Sequence, residues 1–70
     1  MTKDEAATFL YDESLRRNGG EDNEEIRQDI LKRLTSGDSQ TIRAVCLAVS
    51  PKGEEPSDEV VEATKVLTEG

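Results

Sequence analysis

The large apolar side chains of this sequence are scarce and fall at helical spacing, and that combination limits the chain to one small helical core. Leu, Ile, Val and Phe together number 15 of the 70 residues. That lies just above the roughly 20% level below which highly charged chains stay disordered. Seventy residues suffice for a single domain and leave no room for a second core. With one Phe, one Tyr and no Trp, the margin is thin, and burial against a partner or a second copy would add to it.

The apolar residues group into four stretches separated by capping and breaking signals. Thr2-Lys3-Asp4-Glu5 matches a capping box, so a helix is expected from about residue 3. Ala6, Ala7, Leu10 and Tyr11 fall on one side of it, Phe9 and Leu15 flank them, and Asn18-Gly19-Gly20 ends it. Asp22-Asn23-Glu24-Glu25 repeats the cap-to-Glu spacing and opens a second helix near 24–35. Its Ile26, Ile30, Leu31 and Leu34 make it the most clearly specified element in the sequence. Asp38 and Ser39 offer the cap of a third helix near 40–49, in which Ile42, Val45, Cys46 and Val49 follow the i, i+3, i+4, i+7 order. Ala44, Leu47 and Ala48 cover much of the opposite side. A helix apolar nearly all round belongs at the centre of a fold or at an interface, so these four residues are candidate core or dimer contacts. The β-branched content also allows a strand here, which would need a second chain to pair with.

Residues 50–57 read as a connector, broken by Pro51 and Pro56. A last helix near 58–68 takes Ser57 as its cap and carries a thin apolar face of Val60, Ala63, Thr64 and Leu67, fraying from Thr68. The expected fold is all-α: a single domain, a small bundle of about four short helices, with the third wrapped by the others.

Function classes narrow by chemistry. The chain has no His, so the commonest general base at neutral pH is missing and Cys46 has no imidazole with which to form a thiolate pair. A carboxylate pair of the glycosidase kind needs a walled cleft, which a chain this short rarely builds. No enzyme activity and no cofactor are expected. Zinc needs several Cys or His ligands, and Cys46 is one. The acidic run from Asn18 to Glu25 lacks the alternating oxygens, sixth-position Gly and twelfth-position Glu of an EF-hand, so no metal is assigned.

Charge narrows the partners further. Sixteen acids against nine bases give a net charge of −7, which disfavours nucleic acid and anionic lipid. Helices two and three, joined by Thr35-Ser36-Gly37-Asp38-Ser39, have the length and turn glycine of a helix-turn-helix, but the third offers only Arg43 as a cation. No direct nucleic-acid or membrane contact is expected. The opening residues run straight into charge without the apolar segment of a secretory signal, and a lone Cys46 has no internal disulfide partner. A complete, cytoplasmic chain is the expectation.

The distinctive feature that remains is acidic clustering, densest at Glu54, Glu55, Asp58, Glu59 and Glu62. Such a row serves as a solvated face and a set of helix caps, or as a docking face for a basic protein. From Glu25 to Val49, two apolar helices about a Ser36-Gly37-Asp38 turn, the chain resembles the small biofilm-and-acid-stress connector proteins of enteric bacteria; the likeness spans about a third of the residues and implies no activity. The resulting expectation is a bacterial or phage-encoded, non-catalytic regulatory or adaptor protein that binds another protein, as a monomer or a homodimer. The alternative is an acidic inhibitor that mimics nucleic acid to occupy a DNA- or RNA-binding protein.

Overall fold

A computed structural model describes residues 1–20, 23–50, 53 and 55–69. Four helices form a small all-α bundle: α1 (Lys3–Asn18), α2 (Glu24–Thr35), α3 (Ser39–Val49) and α4 (Asp58–Thr68), with no strand among the described residues. The stretch that could have been a strand, 42–48, is helical.

The first helix starts as the sequence predicts. The Thr2 hydroxyl accepts from the Glu5 N–H at 3.2 Å, and Glu5 Oε1 accepts from the Thr2 N–H at 3.1 Å, so both halves of the capping box are made. Hydrogen bonding of the Glu5 carboxyl to Thr2, first to its backbone N–H and then to its side chain, holds that carboxyl below its ordinary pKa. The helix ends at Gly19, which takes the positive φ of 60° that a side chain would resist. Its buried residues are Ala6, Ala7, Leu10 and Tyr11, the side expected from spacing.

At the second helix the capping residue differs from the expected one. Asn23 rather than Asp22 takes the position, its Oδ1 accepting from the N–H of Glu25 at 2.9 Å and of Ile26 at 3.5 Å; Asp22 itself lies outside the described residues. The far end closes with a Schellman pair, Gly37 N–H to Leu34 O and Asp38 N–H to Arg33 O, with Gly37 at φ 85°. That closure turns the chain sharply into α3. Asp38 stands at the α3 cap, but its carboxylate accepts from the Thr41 hydroxyl at 2.6 Å instead of from a backbone N–H.

The packing order corrects one expectation. α1 and α3 each pack against all three other helices, α1 the more extensively, while α2 and α4 scarcely meet; α3 is not wrapped by the others as expected. The reason lies in side-chain size. Ala6, Ala7 and Leu10 are all fully buried in the core, and the two small side chains let neighbouring helices approach closely. α3 instead buries Ile42 and Val49 and turns Ala44 and Leu47 to solvent. A second correction concerns α2. Its apolar spacing is regular, yet Leu34 is its one buried residue and Ile26 is 49% exposed, because the helix packs through its C-terminal half. α4 buries Val60, Ala63 and Leu67 of the expected face, with Thr64 half-buried, and its last cap bond runs from the Glu69 N–H to Lys65 O. The core is thus Ala6, Ala7, Leu10, Leu34, Ile42, Val49, Val60, Ala63 and Leu67, drawn from all four helices, with Phe9, Ile30, Leu31, Val45 and Val66 packed on it.

Candidate protein-docking surface

Charge on this molecule is handled differently on its two sides. In α1 and α2 five of the seven acids, all but Asp4 and Glu25, are tied to neighbours. Glu13 holds Arg16 at 2.6 Å and Arg17 at 3.5 Å, Asp12 meets Arg27 at 3.2 Å across to α2, and Asp29 meets Arg33 at 3.2 Å. Arg27 also lies 5.3 Å from the centre of the Tyr11 ring, a cation–π contact that seats α2 on α1. Glu5 is engaged in its capping box, and Glu24 accepts from Gln28.

The row at the other side is not tied. Glu55, Asp58, Glu59 and Glu62 are exposed, and none of them forms an ion pair among the described residues. Glu54, the fifth residue of the expected row, lies outside the described residues. Local sequence explains the placement. The Ser57 hydroxyl accepts from the Val60 N–H at 3.4 Å and starts the helix, which puts Asp58 and Glu59 in the first turn, where the positive end of the helix dipole favours them. Because Val60, Ala63 and Leu67 point inward, Asp58 and Glu62 are left on the outward side, one turn apart. Asp58, Glu59, Val61, Glu62 and Lys65 line a shallow open depression there. Lys65 is the lone base between Glu55 and Glu69 against five acids.

The four residues read as core or dimer contacts divide differently. Ile42 and Val49 are buried within the chain, Val45 packs against the core, and Cys46 is half-buried with its Sγ 3.7 Å from the Thr64 hydroxyl. What α3 leaves to the outside is Ser39, Gln40, Arg43, Ala44 and Leu47. The exposure of Leu47 and of Val61 was hidden in the sequence because both continue apolar runs, and the helical register alone does not say which side of α3 meets α1.

Among the described residues, no group of three or more His, Cys, Asp or Glu side chains could hold a metal ion. The one buried side-chain polar atom without a partner among the described residues is the Tyr11 hydroxyl, which is held against the bundle and lines none of the surface depressions. No described helix is long and apolar enough to cross a membrane. Comparison with protein-family models, with curated proteins and with solved structures yields no match.

Proposed function

We propose that this chain is a small non-catalytic adaptor or regulator that acts by docking a basic surface of another protein onto the carboxylates of Glu54, Glu55, Asp58, Glu59 and Glu62. The supporting observation is the unequal use of charge: Asp12, Glu13 and Asp29 of α1 and α2 are paired to the chain's own arginines, while the described acids of the α4 side have no such pair. An exposed, unneutralised carboxylate row contributes little to folding and steers an oppositely charged partner at long range. A reducing, cytoplasmic setting belongs to the same reading, supported by a single thiol that packs beside Thr64 rather than in a disulfide.

The test is an affinity capture of the tagged chain from bacterial lysate, eluted by a salt gradient, compared with a variant carrying Glu55→Lys, Asp58→Lys and Glu59→Lys. The reading expects a specific protein retained by the native chain and lost by the variant, with the helical circular-dichroism signal unchanged. Equal retention by both would overturn it. Release of a nucleic-acid-binding partner by added DNA would instead favour the mimic of nucleic acid.

A further inference from the structure

The inward face of α2 carries a charged residue, and it stands where the helix has least else to seat it. Arg27, Ile30, Leu31 and Leu34 follow the i, i+3, i+4, i+7 spacing that puts residues on one side of a helix. Burial falls along that stripe. Leu34 is fully buried, Ile30 and Leu31 are half-buried against the core, and the Arg27 side chain is 27% exposed. From Glu24 to Asp29 all residues but Arg27 are exposed, Ile26 included.

The two halves of α2 are therefore held by different forces. The C-terminal half is seated by Leu34 and closed by the bonds from the Gly37 and Asp38 N–H groups. The N-terminal half is seated through Arg27, whose Nη1 lies 3.2 Å from Asp12 Oδ1 and whose guanidinium carbon lies 5.3 Å from the centre of the buried Tyr11 ring. Asp12 is itself exposed. Ion pairs and cation–π contacts at such partly solvated positions are weak, and salt screens the ion pair, whereas burial of Leu34 does not depend on charge. α4, which scarcely meets α2, adds little to either half.

We infer that Glu24 to Asp29 form a salt-sensitive flap, latched to α1 by Arg27, that unwinds from Tyr11 while the rest of the bundle stays folded. Arg27 is the latch because it takes the place on the inward stripe that apolar anchors take in the other half. Opening exchanges contacts of charge for water and leaves Leu34 in the core, so it lies well below global unfolding in free energy. The closed state hides the chain's one tyrosine, and the open state shows it. This device is independent of docking by the α4 acids.

The experiment is native-state hydrogen exchange read by ¹H–¹⁵N correlation spectra at low and at high salt, on the native chain, on Asp12→Asn and on Arg27→Met. The Arg27 N–H bonds to the cap residue's Asn23 O as the Val61 N–H bonds to Ser57 O, so the amides of Val61 to Thr64 in α4 control for ordinary end fraying and for salt effects on exchange itself. In the native chain at low salt, the amides of Arg27 to Ile30 are expected to exchange about tenfold faster than that of Leu34. High salt should speed them about threefold more, and Asp12→Asn should reach that faster rate without salt. Arg27→Met keeps an unbranched side chain at the same place without the charge and should remove the salt response. Exchange of Arg27 to Ile30 at the rate of Leu34 would show that α2 opens as one piece and overturn the flap. A salt response shared by Val61 to Thr64 or kept by Arg27→Met would show fraying without a latch and overturn it too, as would native rates in Asp12→Asn.

Discussion

α1 and α4 are built from similar parts and put them to different use. Each begins at a hydroxyl cap, each has two acids in its first turn, and each buries a stripe that includes alanine. α1 then meets all of its neighbours and has its later acids paired to arginines, whereas α4 turns an unpaired acidic side outward. The difference teaches that the number of acids in a helix says little about their role. What decides it is whether the neighbouring positions supply cations at three- or four-residue spacing, as Arg16 and Arg17 do for Glu13, or do not.

The contrast breaks most visibly under apolar truncation. Leu10→Ala removes a fully buried side chain at the centre of the bundle and should cost about 2–5 kcal/mol in urea unfolding. Leu47→Ala, at an exposed position of α3, should stay within about 0.5 kcal/mol of the native chain. Comparable losses from the two would mean that Leu47 belongs to the core.

The next effect sits at the start of α1. Thr2→Ala removes the hydroxyl that caps the helix and should cost about 1 kcal/mol. Because the folded pKa of Glu5 is depressed below its ordinary value of 4.5, its contribution is present above that value and is lost as pH falls through the lowered folded one. Glu5→Gln should therefore flatten the acid limb of a stability-against-pH curve, and an unaltered limb would count against the capping box as a source of acid sensitivity.

Smaller still is the effect expected at Tyr11. Its ring is buried under Arg27 while its hydroxyl has no partner among the described residues, so Tyr11→Phe keeps the cation–π contact and removes an unmet polar group. A change between neutral and about 1 kcal/mol of added stability should follow in thermal or urea unfolding. A loss larger than that would reveal a hydrogen bond made by the hydroxyl in solution.

The smallest pair compares carboxylates directly. Glu13→Gln breaks two contacts to arginine and should cost about 0.5 kcal/mol at low salt, an effect that added salt diminishes. Glu62→Gln should cost nothing measurable, since it has no ion pair to lose and its removal relieves repulsion along the row. If Glu62→Gln proved the more destabilising of the two, the acids of α4 would be structural.

Much of the fold was legible because its punctuation is strong. The Thr2 capping box, Gly19, Gly37 and the Ser57 cap each mark a boundary through local chemistry, and the four helices begin and end within a residue of where those signals put them. The packing order was less legible. α3 is the most apolar helix, which pointed to a place wrapped by the others; it does meet all three, but α1 packs more extensively, and α3 leaves Arg43, Ala44 and Leu47 exposed. Apolar content measures how much a helix has to bury, and small residues such as Ala6 and Ala7 set how closely its neighbours approach. The same gap applies to the surface. Glu55, Asp58, Glu59 and Glu62 could be read as a row from spacing alone, but whether arginines elsewhere in the chain neutralise them is a tertiary fact, and so is the exposure of Leu47.

The most direct test of the central claim, that the α4 acids are available for docking while Asp12, Glu13 and Asp29 are held by arginines, is a ¹H–¹⁵N correlation titration of the native chain with a short lysine-rich peptide. The account predicts amide shifts concentrated on Glu55 through Lys65, diminishing with salt. Shifts centred on Asp12, Glu13, Glu24 and Asp29, or spread evenly over every acid of the chain, would contradict it.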